Sequence, residues 1–308
     1  MILLNSMSRP LTELSRHDCV KVNHMKNIAS NLFFLIFTIL TLNPAEAFRV
    51  DGLNTPENFI VDPTLGNYFI SNINGEPLIR DNNGFISKVD ESGKISQKLF
   101  ISGTNKNTTL HAPSGLAIKD NILYITDIDS LRWFDKNTGA SLGHIDFTGM
   151  GAKQLKGLAF DNKNNLYISD ALANSIYTVS IGSKNKISIF KHDNRLGSPA
   201  GMVYDSARNR LIVVTQATGQ VLALGRQDKK ITLVIQQTFG SLQGVDWDQE
   251  GNLIISNSAE GKIYRIKKFS RTETVRENIL TPTGISFDYS RNLILIPSSK
   301  GNLAFTIP

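Results

Sequence analysis

One short module recurs along this chain and limits its fold more than any other feature. The clearest copy, KGLAFDNKNNLYISD, runs from Lys156 to Asp170 and consists of two apolar stretches joined by a turn rich in Asn. Asn and Asp tolerate the left-handed backbone conformation of such turns and hydrogen-bond their own backbone, so the module predicts a β-hairpin. A divergent first copy begins at Glu57, and the glycines of the five other copies are Gly115, Gly157, Gly201, Gly244 and Gly284.

The spacing of the modules predicts the architecture. Successive module glycines are about 40 to 44 residues apart, which is typical of the four-stranded blades of a β-propeller. Six copies therefore predict an all-β fold, a six-bladed β-propeller with four-stranded blades. The last copy, from Thr283 to Pro308, has room for only three strands. We predict that residues 48–53, an alternating stretch before the first copy, supply the missing strand and close the ring.

The residues before the first module have the pattern of an export signal. Lys26 precedes an apolar run over residues 31–42, and Ala45 and Ala47 offer the small side chains of a cleavage site. The apolar run is shorter than the roughly 20 residues that a membrane-spanning helix needs, which disfavours a transmembrane anchor. The predicted segments are, in order, a mis-assigned leader over residues 1–24, a signal peptide over residues 25–47 and a single propeller over residues 48–308.

Export narrows the chemistry that the mature protein can use. Cleavage after Ala47 predicts a periplasmic or secreted protein, and the only cysteine, Cys19, precedes that site, so no disulfide is expected. The whole chain has a net charge of +6. Basic residues of the predicted outer strands, such as Lys191 and Arg276, have no interleaved aromatic residues for stacking on bases. We attribute them to protection of the strand edges and expect a monomer that binds no nucleic acid.

Two positions of the module predict a binding site. In a propeller, the start of each blade's first strand and the end of its second strand meet at one face, around the mouth of the central channel. The first position carries Glu57, Ser114, Lys156, Ala200, Gln243 and Thr283, and the second carries Asn72, Asp127, Asp170, Thr215 and Asn257. Mixed donors and acceptors predict a small polar ligand, such as a sugar or a sugar lactone. The candidate ligand-binding residues are Glu57, Asn72, Ser114, Asp127, Lys156, Asp170, Gln243 and Asn257.

Other residues near this face leave alternatives open. An Asp at the end of a strand commonly bonds backbone amides of the following turn, and this role competes with ligand binding for Asp127 and Asp170. His111 precedes the first strand of the second blade, where a lone histidine is either a weak catalytic candidate or a polar loop residue. The catalytic residues are otherwise unknown. The inserted loop of residues 73–84 is either a wall of the site or a surface decoration, and with residues 104–111 it offers a surface for an envelope protein.

Three copies of the module carry a family resemblance. The segments Pro113-Ser-Gly-Leu-Ala, Pro199-Ala-Gly-Met-Val and Pro282-Thr-Gly-Ile-Ser resemble the NHL repeat and the related SMP-30/gluconolactonase-like propellers. The resemblance covers about residues 55–308 and implies a six-bladed propeller. The same scaffold hosts lactonases, lyases and binding modules, so the resemblance does not imply one activity.

In SMP-30-like hydrolases the family implies a divalent metal, usually calcium or zinc, at the channel mouth. A Glu just after the first-blade Pro holds that metal, and Glu57, in Thr-Pro-Glu-Asn, matches it. The later blades depart from the family's ligand pattern, and Lys156 adds a cation to the same rim. Calcium prefers six to eight oxygen ligands. Glu57 is therefore the candidate metal ligand of the rim, and a shifted site that also uses Asn72, Asp127 or Asp170 stays open. Calcium or zinc stays an open alternative to no cofactor.

Two functions are compatible with these residues. The first is an exported propeller that binds a small polar molecule or an envelope protein at the channel mouth without turnover. The alternative is a metal-dependent lactone hydrolase of the SMP-30/gluconolactonase type with a rearranged metal site. In that enzyme the metal would polarise the ester carbonyl and activate water, with Glu57 as a ligand. The sequence leaves open whether the protein is an enzyme.

Overall fold

The computed structural model describes residues 47–182 and 185–308. These residues form six four-stranded antiparallel sheets and no α-helix, which confirms the predicted all-β, six-bladed propeller. The same residues contain no helix long and apolar enough to cross a membrane. The predicted leader, residues 1–24, and all of the predicted signal peptide except Ala47 lie outside the described residues.

In blades one to five the strands follow one another in chain order from the channel outward, whereas the outer strand of blade six is β1 (Arg49–Val50). Blade one consists of β2 (Pro56–Val61), β3 (Tyr68–Asn72), β4 (Phe85–Val89) and β5 (Ile95–Ser102), and blade two of β6 (Pro113–Lys119), β7 (Ile122–Asp127), β8 (Ser130–Asp135) and β9 (Ser141–Asp146). Blade three consists of β10 (Leu155–Phe160), β11 (Asn165–Asp170), β12 (Ser175–Ser180) and β13 (Lys186–His192), and blade four of β14 (Pro199–Asp205), β15 (Arg210–Thr215), β16 (Val221–Gly225) and β17 (Ile231–Leu233). Blade five consists of β18 (Leu242–Trp247), β19 (Leu253–Asn257), β20 (Lys262–Lys267) and β21 (Arg271–Arg276), and blade six of β22 (Ser286–Asp288), β23 (Leu293–Ser298), β24 (Leu303–Ile307) and β1 (Arg49–Val50). Short 3-10 helices span Thr148–Met150 and Asn194–Leu196.

The N-terminal strand closes the ring as predicted. In β1, Val50 lies opposite Ala304 of β24, so the first strand is the outer strand of blade six. Next to this pair, the Thr306 N–H donates to the Phe48 carbonyl at 2.9 Å. Both Val50 and Leu53 are buried. The first and last strands of the described residues thus share one sheet, and each of the six blades there has four strands.

The turn of the module is stabilised by its first Asp, whose carboxylate accepts backbone N–H groups that have no carbonyl partner in the turn. The Asp161 carboxylate accepts the N–H groups of Lys163 at 2.8 Å and of Asn165 at 2.9 Å, and Asn164 has a φ of 62°. Asn tolerates that left-handed conformation at little cost. The hairpin of β10 and β11 predicted from this sequence is therefore observed.

Second strands are buried on both faces, and this explains their continuous apolar sequence. In β11, Leu166 and Ile168 pack against Tyr124 of blade two, whereas Tyr167 packs towards Met202 of blade four. Side chains of a strand alternate between its two faces, so each blade contributes to the interface on either side of it. The core is therefore a ring of interfaces between blades.

Adjacent blades are joined at the channel by a repeated hydrogen-bond arrangement that we call the hydroxyl clasp. The Ser169 hydroxyl accepts the Gly157 N–H of its own blade at 2.8 Å and donates to the Ala200 carbonyl of the next blade at 2.6 Å. The same pair of bonds is made by Ser71, Thr126 and Ser256. Each clasp therefore fixes the backbone at the first position of the following module.

Close approach of the blades explains the module glycine. A Cβ atom added at Gly157 would collide with the Ala200 carbonyl, and one added at Gly115 would collide with the Lys156 carbonyl. A larger residue would push the next blade outward and break the clasp. The glycine that marks each repeat in the sequence thus marks a contact between blades.

We predict that Thr126→Val destabilises the protein by about 1–3 kcal/mol, because the Gly115 N–H and the Lys156 carbonyl lose a buried partner. Valine fits in this position, since Val214 occupies it in blade four. Urea unfolding at neutral pH measures the change. The control Thr109→Val alters an exposed loop threonine and should change the unfolding free energy by less than about 0.5 kcal/mol. Equal effects of the two substitutions would contradict the clasp.

Candidate functional site

The propeller encloses a cavity of about 330 Å³ on its axis, and the first strands of all six blades form its walls. We define the rim as the residues at the first position of each module, namely Glu57, Ser114, Lys156, Ala200, Gln243 and Thr283. Four predicted site residues of the rim line the cavity together: Glu57, Ser114, Lys156 and Gln243. Ala200 and Thr283 are buried beside it.

An ion pair crosses one side of the rim. The Lys156 ammonium of blade three lies 2.9 Å from Oε2 of Glu57 in blade one, and the two side chains are only 11% and 13% exposed. From blade two, between them, the Ser114 hydroxyl donates to the same oxygen at 3.4 Å. Lys156 therefore neutralises Glu57, and this side of the mouth carries no net charge.

Neutral amides occupy the other side of the mouth. The Gln243 amide nitrogen donates to the hydroxyls of Ser241 and Ser258, each at 3.0 Å, and its oxygen accepts the Gln216 amide at 2.8 Å. Sequence reasoning missed Gln216, which directly follows Thr215 at the end of the blade-four second strand. The sequence could have indicated Gln216, because it is the polar residue next to the second-strand position that was considered. The mouth thus combines amide, carboxylate, hydroxyl and ammonium groups.

The predicted residues at the ends of second strands lie elsewhere. Asp127 and Asp170 are completely buried and do not line the cavity. Asp127 accepts the N–H of His111 at 2.9 Å and of Ala112 at 2.8 Å, and the Arg132 guanidinium donates to it at 2.7 Å. These bonds hold the segment that leads into β6. A ligand-binding role for either Asp stays a prediction.

Asn72 and Asp170 make the same kind of local contact, whereas Asn257 bonds the turn that follows its own strand. Asp170 accepts the Lys153 N–H at 2.8 Å, and Asn72 accepts the Asn54 N–H at 2.9 Å, each from the segment before the blade's first strand. Asn257, also fully buried, donates to the Glu260 carboxylate at 2.8 Å. The structure therefore separates the predicted site into cavity-lining rim residues and buried residues behind them.

His111 and the inserted loop pack beside the mouth. Nδ1 of His111 accepts the Asn82 N–H at 3.1 Å, and Oδ1 of Asn82 accepts the Leu110 N–H at 2.7 Å. Arg80 of the same loop forms an ion pair with Asp129. These bonds join residues 73–84 to residues 103–112, but neither segment contributes to the lining of the cavity.

The rim residues do not fit calcium or zinc. Among the described residues at the cavity mouth Glu57 is the only carboxylate, and its Oε2 is held by an ammonium group. Calcium requires six to eight oxygen ligands and structural zinc four N, O or S ligands. Across residues 47–182 and 185–308, no three His, Cys, Asp or Glu side chains are grouped so that they could hold a metal ion.

A further carboxyl, not predicted from the sequence, lines the cavity below the rim. Asp246 of β18 accepts the N–H of Trp247 at 2.8 Å and of Phe287 at 2.9 Å. Burial raises the pKa of the Asp246 carboxyl to about 6 from an ordinary 3.8, against the opposing effect of the two N–H groups. The signal was available in the repeat, because the matching module position is apolar in blades one to four: Ile60, Ala117, Ala159 and Val203.

No protein-family model and no curated protein sequence matches the chain. Solved structures match its fold. A Bacteroides thetaiotaomicron protein of unknown function has a TM-score of 0.65 and 12% identity, over 85% of this chain and 72% of the other. Virginiamycin B lyase from Staphylococcus aureus has a TM-score of 0.60 and 15% identity, over 85% and 99% of the two chains. A streptogramin B lyase has a TM-score of 0.57 and 11% identity, over 85% and 96%.

These likenesses define the class of protein, a six-bladed β-propeller of the shape also found in streptogramin B lyases. At such low identities they define no activity. The resemblance to NHL and SMP-30 propellers stays a prediction.

We predict that Lys156→Met destabilises the protein by about 2 kcal/mol, between the values of exposed and buried ion pairs, because it leaves the Glu57 carboxylate without its cation. The double variant Glu57→Gln/Lys156→Met should lose less than the sum of the two single variants, as measured in a double-mutant cycle by urea unfolding. Lys153→Met, a change at an exposed lysine on the same face, is the control and should have little effect. Additive losses would contradict the coupling.

We also predict a pH dependence from Asp246. Between pH 3.8 and about 6 the folded chain keeps a proton on Asp246 that the unfolded chain has released, so this carboxyl lowers stability as pH rises. Asp246→Asn removes the effect. The unfolding free energy of Asp246→Asn, relative to that of wild type, should increase by up to about 3 kcal/mol from pH 4 to pH 7. Urea unfolding of both proteins across this range measures the gain, with Asp120→Asn as the control for loss of an exposed carboxyl. Parallel pH profiles of wild type and Asp246→Asn would contradict the prediction.

Proposed function

We propose that this protein binds a small, polar, hydroxyl-bearing molecule at the mouth of its central channel and does not convert it. One observation carries the proposal: a neutralised ion pair and the Gln243 amide lie on opposite sides of a single cavity. The volume of about 330 Å³ is at the lower end of the range for small-molecule sites. A molecule the size of a monosaccharide suits it.

The rim groups retain bonding capacity for such a ligand. Among the described residues, the protein contacts of Glu57 use Oε2, which leaves Oε1 to accept a ligand hydroxyl. Lys156 has three N–H donors, and one is directed at Glu57. Since the pair cancels its own charge, the rim favours hydroxyl groups over a second ion. Fixed backbone positions support this role, because the Thr126 clasp holds the Lys156 carbonyl at 2.8 Å.

The arrangement of side chains supports binding over turnover. A Ser–His contact does occur, with the Ser175 hydroxyl 2.9 Å from Nδ1 of His192, but these residues lie on the outer strands of blade three. His111 is engaged by Asn82. None of the six rim residues is a histidine that could act with Glu57 in general acid–base catalysis. An envelope protein that binds the same face is the alternative partner under this proposal.

Catalysis is the second candidate, because two of the similar structures are lyases. These share the scaffold, and a scaffold supports many activities. The metal-dependent lactonase alternative has less support, since the rim does not fit the metal. A turnover assay therefore belongs beside the binding test.

Isothermal titration calorimetry with sorbitol and with D-glucose tests the proposal. We expect saturable binding of at least one probe, weakened about tenfold by Gln243→Ala, which removes the second lone pair of the amide oxygen, or by Glu57→Gln, which replaces a charged acceptor with a neutral amide. Gln227→Ala, at an exposed glutamine on the opposite face, is the matched control and should bind as wild type. Loss of binding in the control, or no binding of either probe, would contradict the proposal.

The same preparations should not accelerate gluconolactone hydrolysis above buffer, with or without added calcium or zinc. Metal-dependent hydrolysis that is lost in Glu57→Gln would replace the binding function with the lactonase alternative. Metal-independent hydrolysis would replace it with a different enzyme.

A further inference from the structure

Below the rim, the channel has a level that is apolar except in two blades. At the module position that carries Asp246, blades one to four have Ile60, Ala117, Ala159 and Val203, and blade six has Ser286. The strand registers agree, since Asp246 lies opposite Ile254 just as Val203 lies opposite Ile212. This level lies about 10 Å below the rim, because Asp246 is three residue steps along the strand from Gln243 and each step rises about 3.3 Å. Asp246 is thus a single carboxyl in mostly apolar surroundings.

The cavity has an unbalanced charge because of Asp246. The charged residues among its lining are Glu57, Lys156 and Asp246, and the first two neutralise each other. Within the described part of the chain, no Lys, Arg or His side chain forms an ion pair with Asp246. An ionised carboxylate that faces this cavity therefore lacks a cation.

Hydroxyl groups around this level are directed elsewhere. The Ser286 hydroxyl donates to the Phe59 carbonyl at 2.6 Å, and the Tyr204 hydroxyl donates to Asn209 at 2.6 Å. The Tyr289 hydroxyl donates to the Trp247 carbonyl at 3.0 Å. Burial and then the nearby charge of Asp246 raise the pKa of Tyr289, so this phenol stays neutral.

In the part of the chain that the structure describes, the hydrogen-bond partners of Asp246 are two backbone donors. A carboxylate can accept about four hydrogen bonds, and the described residues supply those of Trp247 and Phe287. A partly buried charge with unused acceptor sites is costly unless a donor of opposite charge meets it. An ammonium group supplies both the charge and the hydrogen atoms.

We propose that the channel selects a ligand with a primary ammonium group, which binds Asp246 while the ligand's hydroxyl groups bind the rim. The ligand class is therefore a small amino polyol or amino sugar. This inference rests on the proposed function, because the rim must accept the polar end of the same molecule. It adds a second contact, lower in the channel and of opposite character.

A matched pair of probes tests the inference. Glucamine and sorbitol have the same carbon chain, and an ammonium group in glucamine replaces one hydroxyl of sorbitol. At pH 7.5 we expect glucamine to bind wild type about tenfold more tightly than sorbitol, from one charge-assisted hydrogen bond. In Asp246→Asn the ratio should fall to about one while sorbitol binding persists. Asp120→Asn, which removes an exposed carboxyl from the opposite face, should keep the tenfold preference.

A pH series keeps the test valid if Asp246→Asn does not fold. Glucamine stays cationic between pH 5 and pH 7.5, whereas Asp246, with a pKa of about 6, gains a proton over this range. The groups facing it, Tyr204 and Tyr289, are phenols and stay neutral there. The preference of wild type for glucamine should therefore decline as the pH falls.

The two proposals fail in different ways. Sorbitol binding with no preference for glucamine would overturn the ammonium site and leave the proposed function standing. A preference that persists in folded Asp246→Asn, or that does not change with pH, would also overturn it. If neither sorbitol, D-glucose nor glucamine binds, both proposals fall together.

Discussion

The contact between neighbouring first strands at the channel is the constraint on which this propeller depends. Blades can approach closely because each of the five later modules has a glycine there, and a Cβ at Gly157 would already meet the Ala200 carbonyl. The hydroxyl of Ser169 then bonds both blades. Between blades six and one, a backbone hydrogen bond makes this connection, since the Gly284 N–H donates to the Glu57 carbonyl at 2.8 Å. This geometry positions the rim before any ligand is considered.

A scaffold held together by backbone contacts leaves the channel side chains free to differ. The clasp holds the carbonyl of a rim residue and not its side chain, so Lys156 and Ala200 occupy equivalent positions without a change of fold. Solved structures at 11–15% identity share this architecture. Their likeness concerns the scaffold alone, and the chemistry of this channel depends on its own residues.

Electrostatics divides the channel into two levels. At the rim, Glu57 and Lys156 meet across two blades and cancel. Lower down, Asp246 has two backbone N–H partners and a raised pKa because burial disfavours its charge. Both levels use isolated exceptions to a repeated pattern. The repeated module forms the scaffold, and the residues that depart from it, Glu57, Lys156 and Asp246, determine the chemistry of the channel.

The fold and the residues of the rim could be predicted from the sequence alone, because the repeat period, the turn and the glycine are local patterns that most copies share. The sequence predicted the six blades, the hairpins and the N-terminal closure, all of which the structure confirms. Which polar side chains reach the cavity became clear only from the folded chain. Asp127 and Lys156 are both polar residues of one face, yet Asp127 is buried against backbone amides and Lys156 lines the channel. Asp246 gained its significance in the same way, since the charge balance of a cavity depends on residues that are distant in sequence and become neighbours only when the ring closes.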